Sequence, residues 1–475
     1  MYLGGLDAGS SGCKITIYDT NGNFIESHYE PYDSLHTDSE HTIDFGEIAA
    51  AVEKVISATE HIPEALGVTS FGESFVLLDS DDNILNRSML YNDSRGSEEC
   101  LTFDRARTIA VAGTAPAPLY TLPKLKWMAA HRPELIEKAR KICIIADYIV
   151  YILTGERALN YSAAARTMGF DVRKKCWDKE LFECAGIDPA LMPPLVPDGT
   201  IVGISNRFGL KNTKIISSMH DQNAAAVGAG ALSPGDCVDG SGSVECLTPI
   251  ISAIPESRSA CEAGIAFMPF CDIYEGVAMS YTGGTAAKWV RSNFAPDESY
   301  KALDEAIGNE PGRLLLMPHL AGAATPYMDA DSRGMIFGLT LGTTKYDLYR
   351  AVLEGVAYEM RVNLEVLAEC GIKPVRLLAT GGGAKSRVWT QIKSDITGLP
   401  ITIADAPEVG ALGLIMSAAK SLGIVSSLAE AKEIFTHEGE TLLPDPTRKA
   451  VYDEQFEKYR RMYRLSKEIR FNAPR

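Results

Sequence analysis

The sequence predicts an α/β fold built as two large lobes of related design, and three observations carry that reading. At 475 residues the chain exceeds what a single core usually organises, given roughly 150 residues per domain. Strand-like and helix-like periodicities alternate along it, and no segment is of low complexity. An acidic residue followed by small residues occurs twice, as Asp7-Ala8-Gly9-Ser10-Ser11 and as Asp239-Gly240-Ser241-Gly242-Ser243, 232 positions apart. That spacing is close to half the chain and far too long for a solenoid period, so it indicates a repeated lobe. The small, flexible stretch Gly228 to Gly235 precedes the second copy and suits a crossover. The expected organisation is residues 1–230 for the first lobe, 231–445 for the second, and 446–475 for a terminal helix that packs back on the first.

Taken in order, Tyr2-Leu6 reads as a strand entering Asp7, Lys14 to Asp19 as a second and Phe24-Tyr29 as a third, with Asn21-Gly22 the hairpin turn between the last two. This predicts an antiparallel meander with Asp7 at the mouth of its first turn. Asp44 is placed to cap a helix whose Ile48, Val52, Val55 and Ile56 recur at helical spacing. Strands follow at Gly67-Ser70 and at Phe75-Leu78, the latter ending in the Asp79 to Asn83 turn. In the second half, Thr344 and Asp347 form a capping box for a long helix with Leu348, Val352, Val356 and Met360 as its apolar stripe, stopped at Gly371. Val375-Leu378 reads as a buried strand leading through Gly381-Gly382-Gly383-Ala384 to Ser386. That serine is placed to cap a helix with Val388, Ile392 and Ile396 inward, ended by Gly398. Thr447 to Lys467 forms a charged helix with Val451, Phe456 and Tyr459 on one side.

Composition narrows the class. Hydrophobic residues make up 46% and charged residues 23%, the balance of a folded globular protein. The net charge of −16, with no basic cluster, disfavours nucleic acid as a partner. No apolar run approaches the ~18 to 20 residues of a membrane span, and the N-terminus lacks the basic start of an export signal. A cytoplasmic protein is expected. Ten cysteines without a Cys-x-x-Cys pair signal neither zinc nor a disulfide framework and read as reduced, mostly buried thiols.

The two acidic-plus-small turns and the Gly381 to Ala384 turn offer backbone N–H groups that phosphate can approach without meeting a Cβ. Neither a Walker A sequence nor a Rossmann fingerprint is present, so a hairpin-type phosphate cradle is the form expected. Asp7, where a strand ends at the first cradle, can hold Mg2+ through water, or simply cap a turn. Lys14 can face phosphates or solvent. Asp221, in the polar run Met219-His220-Asp221-Gln222-Asn223 at a strand-to-helix junction, can cap the helix or accept the proton of an attacking hydroxyl. His220 is expected to pack or hydrogen-bond rather than ionise. Phe71-Gly72-Glu73-Ser74 and Tyr91-Asn92-Asp93-Ser94-Arg95 are surface turns or, together, a set able to satisfy several hydroxyls of a polyol.

On these residues the chain resembles the FGGY carbohydrate kinases, the family that includes xylulokinases, glycerol kinases and gluconokinases. The most specific part is Gly342-Thr343-Thr344 through Ala351 to Glu359, followed by Gly381 to Ser386 and by Trp389 and Gln391. The resemblance implies two actin-like, ribonuclease-H-like lobes with ATP and sugar in the cleft between them. It implies that Asp7 is the Mg2+-linked carboxylate, that Ser10, Ser11 and Lys14 belong to the first phosphate loop, and that Gly240, Ser241, Gly242 and Ser243 form the second. Asp221 is then the general base, and Glu73, Asn92, Asp93, Arg95 and Gln222 contact the sugar. Gly283 and Gly284 lie near the nucleotide, and Gly381, Gly382, Gly383 and Ala384 hold adenosine. The chain departs from the usual xylulokinase pattern at Phe71 to Ser74, at Tyr91 and at Gln222. It departs from glycerol kinases at Gly72, where they carry arginine.

The expected activity is ATP-dependent phosphorylation of a terminal hydroxyl on a small sugar, ketose, polyol or sugar acid, with homodimer formation left open. The reading from another class is an actin-like nucleotide switch or sugar sensor without phosphotransfer, since one fold hosts unrelated functions.

Overall fold

A computed structural model describes residues 1–37, 40–406 and 408–469. The chain divides into two compact units: Met1–Leu232 with Phe267–Glu275 and Ala406–His437, and Ser233–Ala266 with Gly276–Asp405 and Glu438–Arg475. The first crossing falls at Leu232/Ser233, inside the small-residue stretch.

The first unit is built on six strands: β1 (Tyr2–Ala8), β2 (Gly12–Asp19), β3 (Phe24–Pro31), β4 (Ala65–Ser70), β5 (Thr200–Ser205) and β6 (Thr213–Ser217), in the spatial order β5-β6-β4-β1-β2-β3. The meander is as the turn chemistry predicts, with β1 antiparallel to β2 and Asp7 opposite Lys14. β1 runs parallel to β4, and β4 parallel to β6. Helix α1 (Phe45–Ser57) starts where Asp44 accepts from the Gly46 N–H at 2.8 Å and buries Phe45, Ile48, Val52, Val55 and Ile56. Helix α2 (Asp221–Gly228) follows β6, so Asp221 stands just beyond the C-terminal ends of parallel strands. Ligands of open α/β sheets bind at that end.

The second unit repeats the plan. Its sheet contains β7 (Asp236–Ser241), β8 (Glu245–Ile251), β9 (Ile273–Ser280), β10 (Arg376–Thr380), β11 (Ile401–Ala404) and β12 (Glu438–Leu442), in the order β12-β11-β10-β7-β8-β9. β7 is antiparallel to β8 and parallel to β10, β10 is parallel to β11, and β12 is antiparallel to β11. The run β10-β7-β8-β9 repeats β4-β1-β2-β3 of the first unit, while the outer pair is reversed in chain order and a seventh strand, Ala266–Phe270, lies beyond β9; the 232-residue spacing thus marks a repeated central topology. Helix α3 (Gly284–Phe294) begins at the glycine pair. Helix α4 (Lys345–Glu369) carries the expected capping box of Thr344 and Asp347, and helix α5 (Arg387–Thr397) lies between Ser386 and a left-handed Gly398.

Two expectations about the end of the chain are corrected. Helix α6 (Val409–Ser421) belongs to the first unit, although its sequence position placed it in the second lobe. It lies across a floor made by Gly5 and Gly67, which are register partners on β1 and β4; a Cβ on them would stand 2.8 Å from Ala411 O and 3.0 Å from Leu414 O. Helix α7 (Pro446–Glu468) packs within the second unit and does not return to the first. Its Tyr452, Phe456, Tyr459 and Met462 enter the core cluster that holds Val352, Val356 and Tyr358 of α4. That apolar stripe finds its complement on α4. Residues 470–475, the end of the expected helical segment, lie outside the described residues.

Candidate active site

In the first unit, Asp7 closes β1 and Asp221 opens α2. The Asp7 carboxyl feels the charge of Asp221. Burial, then Asp221 and Glu408, push the Asp7 carboxyl up to about 7, with Lys14 opposing. Lys14 does not point freely at a ligand, because its Nζ donates to Glu408 Oε1 at 2.6 Å. Glu408 sits at the N-terminus of α6, so the return of the chain to this unit neutralises the nearest cation. Ser10 and Ser11 lie in the turn between β1 and β2, which Tyr32 and Tyr29 brace by donating to Gly9 O at 2.5 Å and Ser11 O at 2.9 Å. A side chain at Gly12 would run into the Tyr29 ring, so this bracing requires glycine there.

Asp221 is not a cap. The N-cap position of α2 is His220, and no side chain caps it. The Asp221 side chain is 34% exposed and lies 3.1 Å from His220 Nε2. Burial raises its carboxyl to about 6, against the pull of Arg166 and the Gln222 N–H. Burial, then Arg166, pushes His220 down to about 4, so its ring is neutral at pH 7 and orients rather than ionises.

The sugar-side expectations divide. Glu73 is buried and accepts from Arg166 Nε at 2.8 Å and Nη2 at 2.5 Å, so this pair lies beside Asp221. Gly72 has φ +85°, and a Cβ there would meet His220 Cδ2 at 2.8 Å and Arg166 Cγ at 3.0 Å; the guanidinium comes from Arg166 instead. Asp93 and Arg95 close on each other through two side-chain hydrogen bonds of 2.9 and 2.7 Å, while Asp93 also anchors the His41 N–H and Arg95 reaches Glu40. Asn92 is exposed and Gln222 half-buried. Burial of its hydroxyl, then the charges of Glu73 and Asp221, raise Tyr91. Arg166 carried no signal in the sequence, because 93 residues separate it from Glu73.

In the second unit the expected nucleotide residues converge on one turn. Gly283 N donates to Ser243 O at 3.0 Å and Gly284 N to Gly242 O at 2.8 Å. A Cβ on Gly283 would stand 2.7 Å from Val244 C, on Gly381 2.7 Å from Ser241 O, and on Gly383 2.0 Å from Ser241 Oγ. Gly381 is also left-handed, at φ +83°. Gly382 meets nothing within 4 Å, and Ala384 is buried. The Ser241 hydroxyl is used inside the protein: it donates to Glu245 Oε2 at 3.1 Å and accepts from Lys393 Nζ at 2.9 Å. Lys393 also pairs with Asp239 at 2.9 Å and with Glu245. Burial lowers Lys393 while these two acids raise it, with a net rise. Burial and Asp239 lift Glu245 well above its usual range, with Lys393 opposing. Sequence reasoning missed Lys393 and Glu245.

The polar residues of α4 serve packing. Glu354 accepts from Arg350 at 2.8 Å and the Gly312 N–H at 2.9 Å, and Tyr459 donates to Glu359 at 2.5 Å. No disulfide joins any of the ten cysteines, all of which lie among the described residues. Among the described residues no helix is long and apolar enough to cross a membrane.

Family models match both halves: the N-terminal domain of the FGGY family of carbohydrate kinases over residues 2–228 and its C-terminal domain over residues 274–422. The chain belongs to the FGGY carbohydrate kinases. It is therefore a sugar kinase, a phosphotransferase acting on a small-molecule sugar. The xylulose kinase of Bacillus subtilis (strain 168) is 27% identical over 492 residues, covering 98% of each chain. Solved structures of a ligand-bound xylulose kinase and of a gluconate kinase, both from Lactobacillus acidophilus, superpose on this FGGY kinase with a TM-score of 0.91 at 24% identity, covering 98% of each chain. At that identity they establish the fold.

Proposed function

We propose that this FGGY kinase phosphorylates a terminal hydroxyl of a small sugar, ketose, polyol or sugar acid, with ATP as donor and Asp221 as general base. One observation carries the reading. An uncapped, partly exposed carboxylate with its proton affinity raised to about 6 opens α2 beside Glu73, Arg166 and Asp7. A base titrating near working pH suits the removal of a hydroxyl proton. Asp221 accepts that proton as the hydroxyl oxygen bonds to the γ-phosphorus; the bond from phosphorus to the bridging oxygen breaks, and ADP leaves with its electron pair. Glu73 and Gln222 orient the acceptor. Positioning of this kind carries most of phosphoryl transfer.

Asp7 suits Mg2+. Its carboxylate makes no side-chain hydrogen bond among the described residues, and no cluster of three ligands occurs among them. Mg2+ is commonly held by one or two carboxylates with phosphates and water completing the shell. When bound it would neutralise charge on the phosphates.

The test is ADP release in a coupled assay with a panel of ketoses, polyols and aldonates, D-xylulose first, on the wild type and on Asp221→Asn. The expected result is substrate-stimulated release that the variant loses while remaining folded. Nucleotide binding with no stimulation by any acceptor overturns the reading in favour of a switch or sensor.

A further inference from the structure

One buried acid has no place in this scheme. Glu275 lies at the start of β9 in the part counted with the first unit; it is fully buried, and neither carboxyl oxygen meets a hydrogen-bond partner among the described residues. Buried polar groups are nearly always paired, so such an orphan points to a group admitted from outside. After burial, the charges that act on it are Asp198 and Asp221, with Arg166 opposing, so it lies within electrostatic reach of the base and the guanidinium of the site. Further orphaned buried atoms gather at the same end of the sheet: Ser70 Oγ closing β4, Ser218 Oγ just past β6, and His220 Nδ1 and Asn223 Oδ1 at the start of α2. Asn223 Nδ2 donates to Pro269 O at 2.9 Å, which ties α2 to the segment that carries Glu275.

Hydroxyl, amide, imidazole and carboxyl groups without partners are what a polyhydroxyl chain satisfies. Charge then selects among such chains. The cations of this region are already engaged: Lys14 by Glu408, Arg95 by Asp93 and Glu40, Lys124 by the Leu119 carbonyl at 3.3 Å, and Arg166 by Glu73. A carboxylate on the acceptor would enter among Asp7, Glu73 and Asp221 with no uncommitted cation from this set to meet it.

We propose that Glu275 is a substrate-binding residue that takes a hydroxyl of a neutral open-chain sugar or polyol, and that the site discriminates against sugar acids. The proposal rests on the kinase reading above and narrows its acceptor. The experiment is isothermal titration calorimetry of the full chain without nucleotide, with D-xylulose, glycerol and D-gluconate as probes. Wild type is expected to bind a neutral probe at least tenfold tighter than D-gluconate. Glu275→Ala weakens that binding tenfold or more, whereas Glu275→Gln, which keeps hydrogen-bonding atoms in the same volume, changes it less than threefold. Should the alanine variant fail to fold, Glu275→Asp, which retracts the carboxyl by one methylene, takes its place with the same tenfold expectation. D-gluconate binding as tightly as the neutral probes, no neutral probe binding, or truncation without effect each overturn the proposal. Binding needs no phosphoryl transfer, so failure of the kinase reading shows as intact binding without ADP release. Failure of this proposal shows as an active kinase that prefers gluconate or ignores position 275.

Discussion

Helix α2 carries Asp221, and its position depends on two glycines. A Cβ on Gly413 of α6 would stand 1.9 Å from Ala224 O of α2, and one on Gly228 would stand 1.8 Å from Val409 O. Side-chain carbons do not approach carbonyl oxygens below 3.0 Å. Gly413→Ala therefore forces the helices apart by about 1 Å, and overpacking of this kind costs ~1–3 kcal/mol. A misplacement of about 1 Å at a reacting group costs on the order of 100-fold in rate. The expected result is a kcat about 100-fold below wild type in the ADP-release assay, with a melting temperature lower by a few degrees. Gly410→Ala is the control. It lies on the same helix with nothing within 4 Å of the added carbon, and should stabilise by ~0.5–1 kcal/mol without loss of rate. Wild-type kcat in Gly413→Ala, or equal losses in both variants, would refute the argument that this contact sets the base.

The remaining predictions concern charge. Because burial raises the Asp221 carboxyl from 3.8 to about 6, the folded state holds the proton more tightly than the unfolded chain, and stability is lost as pH rises through that interval. Asp221→Asn should therefore raise the melting temperature above pH 6 and lose that advantage below pH 4. Partial exposure reduces the full ~3 kcal/mol of the shift to about 1–2 kcal/mol. In the wild type, kcat/KM should fall as pH drops below about 6, as the base takes up its proton. Arg166→Met strands buried Glu73 and should cost ~3–5 kcal/mol in denaturant midpoints while raising the acceptor KM. Lys393→Met leaves Asp239 and Glu245 facing each other and should cost a similar ~3–5 kcal/mol, with weaker nucleotide binding; adding Glu245→Gln should recover part of both.

The local elements were largely legible in the sequence because local chemistry makes them. Asn21-Gly22 turns a hairpin, Asp44 and Ser386 cap helices, Thr344 and Asp347 form a capping box, and Gly398 ends a helix in the left-handed region. The repeated acidic turn likewise announced a duplicated sheet. Asp7 and Asp221 were marked as candidates, since each is an acid at the end of a strand or the start of a helix where ligands gather. Their partners were not legible. Arg166 reaches Glu73, Glu408 reaches Lys14 and Lys393 reaches Asp239 across 93, 394 and 154 residues, and no periodicity records such contacts.

The sequence by itself determined the family, the strand and helix grammar and the duplicated plan, because these depend on neighbours along the chain. Only the tertiary structure decided where the late segments go. A stripe of apolar residues says that a helix must be covered but not by what, so α7 was expected on the first lobe and joins the second. The small residues of α6 gave no sign that they match a glycine floor and two glycine contacts more than 180 residues away. Steric fit at that range holds Asp221 beside Asp7, and it exists only once the chain has folded.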